Sequence, residues 1–182
     1  IIDSGADHAG LTHEYAAITE ELRTVSSVFG KEVLREVPEH DFYERIATVR
    51  RAAGDRAVLR AIHFYEDNKR VDREVKALER GDFGAFLDAV NESGRSSWLY
   101  LQNIVPTGAT DRQEMAFALA LSQRLLGGKG AVRVHGGGFA GTIQAFVPEE
   151  LLDSFRDGIE RVLGAGSCHV LSISPVGGAR DE

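Results

Sequence analysis

The residues of this sequence best placed to do chemistry lie in Val132-Arg133-Val134-His135-Gly136-Gly137-Gly138-Phe139-Ala140-Gly141-Thr142-Ile143-Gln144-Ala145-Phe146-Val147, where four glycines are flanked by two alternating, β-branched runs. The pattern predicts strand, glycine turn, strand. Glycine takes positive φ and, lacking a Cβ, lets a second backbone or a ligand come close. Three consecutive glycines exceed what a plain hairpin needs. Glycine content alone leaves two readings open: a wide hairpin or β-bulge, or a backbone surface shaped to meet a ligand or a phosphate-binding loop. Arg133 and His135 alternate with Val132 and Val134, which puts both on the strand face opposite the valines. There they are either solvent-facing strand residues or polar groups lining the site that the turn approaches.

Other chemistries are poorly supported. Gly136-Gly137-Gly138-Phe139-Ala140-Gly141 fits G-x-G-x-x-G as a string, but a strand follows it. The helix N-terminus that would bind a pyrophosphate is missing. The Gly-Lys-Ser/Thr ending of a Walker loop is missing too. His8, His13, His40, His63, His135 and His169 include no i, i+4 pair, and no Cys-x-x-Cys occurs, so no metal site is expected. Cys168 and His169 are adjacent, so on a strand they face opposite ways, and Cys168 reads as an inert buried thiol.

The elements that carry the turn follow from periodicity. Ile1 and Ile2 read as the end of a short strand, followed by a polar loop over 3–10. Tyr15, Ile18, Leu22, Val25 and Phe29 recur every three or four residues and predict a helix over 11–29, capped by Thr12 and stopped by Gly30. A short amphipathic turn over 31–37 ends at Pro38. Phe42, Ile46 and Val49 mark a helix over 41–53, broken by Gly54. The next, over 55–79, has Asp55 as its cap and Val58, Ile62, Tyr65, Val71, Val75 and Leu78 as its apolar stripe; its run Glu66 to Arg70 reads as a solvated face. After Gly81-Asp82, a short helix carries Phe83, Phe86, Leu87 and Val90, a polar segment spans 91–97, and a second apolar helical piece spans 98–104. Thr110 or Asp111 is the expected cap of a helix over 115–126, apolar nearly all round and so expected deep in the core. Beyond the hairpin, Pro148 opens a helix over 149–163, a closing strand is expected over 167–174, and 175–182 is a tail.

Helices first and a small antiparallel sheet last make this an α+β chain, and its hairpin, helix, strand ending resembles half of a ferredoxin-like sandwich. We read 1–182 as one domain, with a mainly helical part over 10–110 and a helix plus hairpin-helix-strand part over 111–174. An apolar content of 43% supports a real core. A net charge of −7 and a pI near 5.4 argue against nucleic acid or an anionic membrane as partner. No run of about 18 apolar residues suggests a membrane span, and the single cysteine allows no internal disulfide, which fits the cytoplasm. The chain starts mid-pattern at Ile1 without Met, as expected of a piece of a longer protein.

Taken together, these residues resemble the C-terminal part of the galactokinases, within the GHMP family of sugar and metabolite kinases. Arg133-Val134-His135-Gly136-Gly137-Gly138-Phe139-Ala140-Gly141 is similar to that family's third motif, Arg-x-(Thr/Ser)-Gly-Gly-Gly-Phe-Gly-Gly. Asp3-Ser4-Gly5-Ala6-Asp7-His8 with His13-Glu14-Tyr15 resembles a strand passing through Asn-Ser-Asn-x-x-His to Ser-Glu-Tyr. Arg60-Ala61-Ile62-His63, with Glu66 and Arg70-Val71, resembles an Arg-Ala-x-His helix, and Asn91-Glu92-Ser93 resembles Asn-Glu-Ser-His. The four matches follow the family's order. His135 for Thr or Ser, Gly94 for His, Ala140 for Gly, and Asp3 and Gly5 for asparagines mark a divergent branch.

The resemblance implies a GHMP kinase C-terminal domain whose full-length enzyme uses ATP and Mg²⁺ to phosphorylate galactose. It implies Tyr15 as a sugar contact, and Gly136, Gly137, Gly138, Arg133 and His135 as the surface meeting the nucleotide and phosphate loop. The catalytic Asp, its partner Arg, the first sugar-binding motif and a Gly-Leu-Ser-Ser phosphate loop belong to the family's N-terminal domain and have no counterpart here. The partners implied are therefore the chain's own N-terminal domain and galactose or a related sugar, and no catalytic or metal-binding residue is assigned in this chain. A non-catalytic sugar sensor, or a kinase for another sugar or a small alcohol, would share these features. Gly137→Val in the full-length enzyme is expected to cut activity while sparing the fold; an unchanged kcat/KM would contradict that reading of the turn.

Overall fold

In a computed structural model of the chain, residues 1–172 are described. The order is β1 (Ile2–Asp3), α1 (Thr12–Ser27), a 3₁₀ turn (Leu34–Glu36), α2 (Glu39–Glu44), α3 (Ile46–Ala53), α4 (Asp55–Glu79), α5 (Phe83–Ser96), a π-helical turn (Ser97–Leu101), α6 (Glu114–Leu126), β2 (Ala131–Val134), β3 (Thr142–Phe146), a second 3₁₀ turn (Glu149–Leu151) and α7 (Leu152–Leu163). The fold is α+β. The sheet is antiparallel with order β1-β3-β2, Ile2 opposite Ile143 and Val134 opposite Ile143 on its other side. The closing strand is represented by one bridge, Ile2 to Cys168, flanked by bonds from Asp3 N to Ser167 O (2.8 Å) and from His169 N to Ile1 O (2.8 Å). Residues 169–172 carry no further strand, so the strand expected over 167–174 is reduced to that bridge among the described residues; 173–174 and the tail over 175–182 lie outside them.

Two hydrophobic clusters form, one at each end. Val25, Leu34, Val37, Phe42, Val49, Val58, Ala61 and Tyr65 fill the space between α1, α3 and α4. Ile2, Ile104, Met115, Leu119, Val132, Val134, Ile143, Phe155 and Ile159 join the sheet to α6 and α7. Burial of such side chains contributes on the order of 1.5–3 kcal/mol each. Between the clusters runs a polar seam. His63 Nδ1 is 2.9 Å from Ser96 Oγ, Ser93 Oγ donates to Asp67 (2.6 Å), and Arg70 Nη1 donates to Asp67 (3.0 Å).

That seam corrects several expectations. The α4 stripe holds only in its first half: Val71 is 53% exposed, with Val75 and Leu78 similar, while Arg60, His63 and Arg70 are buried. Beyond the helical cluster α4 runs along α5, and the residues there that can pair with it are polar. The run Glu66 to Arg70 is accordingly split. Lys69 stays outside with Glu39 and Glu66, but Asp67 and Arg70 turn inward. The polar segment 91–97 is no interruption, because α5 continues through it to Ser96. The helix expected over 41–53 divides at Arg45, whose guanidinium sits 4.6 Å over the Phe29 ring and donates to Val28 O (3.2 Å). Phe117 on α6 is 52% exposed, so α6 buries one face rather than all of itself. Leu11 and Gln113 take the cap positions expected of Thr12 and of Thr110 or Asp111.

Asn91 explains how α5 meets the sheet. β2 is an edge strand, and Asn91 completes its edge in place of a neighbouring strand. Its Oδ1 accepts from Val132 N (3.2 Å) and its Nδ2 donates to Gly130 O (3.1 Å). One turn on, a Cβ at Gly94 would stand 3.0 Å from Val132 O and 3.1 Å from Arg133 Cβ, so only a small residue lets α5 lie this close to β2. Losing both bonds, and leaving two edge groups unpaired, costs about 1–3 kcal/mol. Asn91→Ala is expected to lower the urea midpoint of the chain correspondingly; an unshifted midpoint would show the edge needs no cover.

Candidate functional site

The glycine turn closes against three parts of its own chain. The loop after β1 holds one end, with Ser4 N and Ser4 Oγ both donating to Gly141 O (2.9 and 2.6 Å). α1 supplies Tyr15, whose hydroxyl donates to Gly138 O (2.8 Å) and whose ring meets Phe139 edge-on, 5.5 Å between centroids. The segment after the π-helical turn supplies Asn103. Its carbonyl accepts from Phe139 N (2.6 Å) and its Nδ2 donates to Gly137 O (3.1 Å).

These contacts show which glycines the chain itself requires. A Cβ at Gly137 would stand 2.9 Å from Tyr15 Cε1, and one at Gly138 would stand 2.1 Å from Asn103 O. At Gly141 it would stand 2.7 Å from His8 Nε2. Gly136, at φ +77°, has open space where its Cβ would be. A side chain at Gly137 therefore displaces Tyr15 first. The turn is also strained: Phe139 (φ 59°) and Gln102 (φ 57°) are the two non-glycine residues with positive φ among those described, and they flank the Asn103–Phe139 bond. Such left-handed backbone persists where surrounding contacts over-determine it.

Asn103 is placed from a distance. Arg60 on α4 is 1% exposed; its Nε donates to Leu101 O (3.1 Å), at the end of the π-helical turn, and its Nη1 donates to Glu21 Oε2 on α1 (2.9 Å). One side chain thus ties the helix bearing Tyr15 to the turn preceding Asn103. Glu14, next to Tyr15 and buried, accepts from Thr107 N and so ties α1 to the 105–109 loop. Burial alone would raise the Glu14 carboxyl, but the Thr107 N–H, His13 and Arg56 hold it below its ordinary value. Burial pushes the Tyr15 phenol up, so it keeps its proton.

The structure brings Tyr15, Gly137 and Gly138 into direct contact, with Gly136 beside them. His135 is exposed, its backbone N–H bonded to Thr142 O (3.1 Å). Arg133 goes elsewhere. It lies against Gly94 of α5, its Nε donates to Val134 O (3.2 Å), and its charge acts on His63, Asp67 and Glu74. Sequence reasoning missed Asn103, whose only signal was a polar residue in a segment read as an apolar helix. His8 and Glu14 lay inside a recognised motif, without a role.

No family model matches the chain. Its fold is similar to that of part of a galactokinase: the crystal structure of Lactococcus lactis galactokinase complexed with galactose superposes with a TM-score of 0.66 at 21% identity, over 89% of this chain and 40% of that one. In sequence the chain is similar to galactokinases over most of its own length. It is 31% identical over 159 residues to the galactokinase of Actinobacillus pleuropneumoniae, covering 86% of this chain and 38% of the relative. It is 30% identical over 171 residues to that of Haemophilus influenzae strain Rd, covering 90% of this chain and 42% of the relative. The chain thus spans about two fifths of the length of the curated relatives it matches.

The seam behind the site titrates. Burial lowers the His63 pKa below its ordinary value, and Arg70 and Arg133 lower it further; the attraction of Asp67, at 3.8 Å, does not offset them. The folded state therefore binds fewer protons at His63 than the unfolded state. Stability is insensitive to this group above its unfolded pKa of 6.5 and falls as pH drops below it. His63→Gln is expected to flatten the decline in urea midpoint between about pH 7 and pH 5; an unchanged slope would place the titration elsewhere.

Proposed function

We propose that this chain is the C-terminal domain of a galactokinase and that the full-length protein phosphorylates galactose with ATP, giving galactose 1-phosphate and ADP. The observation that carries the reading is Tyr15 held by its hydroxyl, at 2.8 Å, on the glycine turn of the third motif. In the transfer, the C1 hydroxyl oxygen bonds to the γ-phosphorus and the bond to the β–γ bridging oxygen breaks. The hydroxyl proton passes to a base in the N-terminal domain. Phosphoryl transfer of this kind is mostly positioning and charge neutralisation.

In this reading Tyr15 meets the sugar. Gly136 and the exposed His135 form the face offered to the phosphate loop, and Gly137 and Gly138 keep that face thin enough for Tyr15 to lie directly behind it. Arg133 backs the turn from the α5 side. Among the described residues no group of three or more His, Cys, Asp or Glu side chains converges, and we assign no Mg²⁺ ligand to this chain. In our reading the ion belongs with the ATP phosphates and the N-terminal domain. Among the described residues no helix is long and apolar enough to cross a membrane, and we place the enzyme in the cytoplasm, with its ATP.

The test is a coupled ADP-release assay of the full-length protein with galactose, N-acetylgalactosamine, arabinose and mevalonate. Galactose-dependent release is expected; none from a well-folded full-length protein sinks the proposal. The 182-residue chain alone is expected to show no turnover, and galactose phosphorylation by it would refute the division of labour between domains.

A further inference from the structure

The Tyr15 hydroxyl has one proton, and its position is determined. Its oxygen lies 2.8 Å from Gly138 O, which can only accept, so the phenol proton sits on that line. The same oxygen lies 2.9 Å from His8 Nδ1. With the phenol proton committed, His8 is the donor of this second bond and its ring carries hydrogen on Nδ1. The ring is held in place: it stacks on Tyr15 with 6.3 Å between centroids, and its Nε2 edge lies over Gly141, where a Cβ would stand 2.7 Å away. Tyr15 is half-buried and His8 exposed, so the hydroxyl's remaining side can be reached by a ligand. That side has no hydrogen left to give.

We propose that His8 and Gly138 together hold the Tyr15 hydroxyl as a hydrogen-bond acceptor toward the sugar, so that the sugar must present a hydroxyl donor there, and that His8 is the positioning residue that sets this polarity. The proposal rests on the function proposed above and deepens it. A sugar whose group at that point only accepts, such as a fluoro, keto or O-methyl derivative, is rejected as strongly as one with no group at all. A buried or half-buried acceptor facing another acceptor gains nothing from it.

The full-length protein is assayed with galactose and with its deoxy and deoxyfluoro analogues at every hydroxyl except the reacting one. Tyr15→Phe identifies the sugar position concerned, because there the penalty of the deoxy sugar disappears. At that position the deoxy and fluoro sugars are expected to raise KM equally, about three- to tenfold, with kcat little changed. His8→Ala is expected to raise the KM for galactose by a similar factor, and His8→Asn, whose amide nitrogen can stand where Nδ1 does, to restore it. A fluoro sugar that binds like galactose overturns the proposal, since fluorine accepts and cannot donate. So does a Tyr15→Phe variant that leaves every deoxy penalty in place. Nitrogen NMR of the His8 ring in the sugar-free protein is expected to report hydrogen on Nδ1; a neutral ring carrying it on Nε2 overturns the polarity whatever the substrate. A protein that phosphorylates no sugar overturns the proposed function and with it the sugar contact, and is told apart from a failure of polarity by a ring that still carries hydrogen on Nδ1.

Discussion

One buried cation holds this fold to its site. Arg60 reaches from α4 to Glu21 on α1 and to Leu101 O at the end of the π-helical turn. Burial works against its charge and, with the repulsion of Arg56, outweighs the attraction of its counter-ion Glu21, so its pKa is lowered. Glu21 also accepts from Arg56 Nε (2.8 Å), so its carboxylate bridges a buried and a half-exposed guanidinium, whereas Arg60 has Glu21 as its counter-ion. A guanidinium suits the task better than an ammonium: it is planar and forked, and it serves two acceptors in different directions at once. Through it, the helix that carries Tyr15 and the turn that leads into Asn103 are set relative to each other. Their separation decides whether the glycine turn fits between them.

The polar seam is the second constraint. The chain builds two apolar clusters instead of one, and the surfaces between them are paired by His63, Asp67, Arg70, Ser93 and Ser96. Such pairs add little net stability compared with apolar packing; they tie α4 to α5 through His63–Ser96 and Asp67–Ser93. α5 in turn sets β2, through Asn91 on the strand edge and Gly94 under Arg133. The motifs on α4 and α5 are therefore supports of the turn. They explain why a residue such as Arg133 can belong to a functional motif while its charge faces the scaffold.

The turn itself is thin by necessity. Gly137 lies against Tyr15 and Gly138 against Asn103, closer than any Cβ allows, while Phe139 accepts a left-handed backbone to keep its N–H on Asn103. Contacts from α1, from the loop after β1 and from the segment after α5 over-determine this conformation. The chain thereby presents Tyr15 and Gly136 in a fixed relation before any ligand arrives, which is how positioning lowers a barrier.

Periodicity and glycine placement made the helices, the hairpin and the α+β class legible, because each depends on local spacing and on the φ range a residue tolerates. They misled at Val71, Val75 and Leu78, where helical period marks a face but not what covers it. They also misled at 91–97, where polar residues read as an interruption because their partners are far away in sequence. Asn103 was invisible for the same reason: its role exists only where 60, 101 and 138 meet. The sequence by itself determined that a glycine turn and a tyrosine stand among motifs in one family's order, since residue types and their order carry that much, and the structure brings the two into contact. Only the tertiary structure decided that Tyr15 gives its one proton to Gly138 and that His8 must then donate. Hydrogen-bond direction is set by which atoms lie within 3 Å of each other, and no spacing along the chain encodes that.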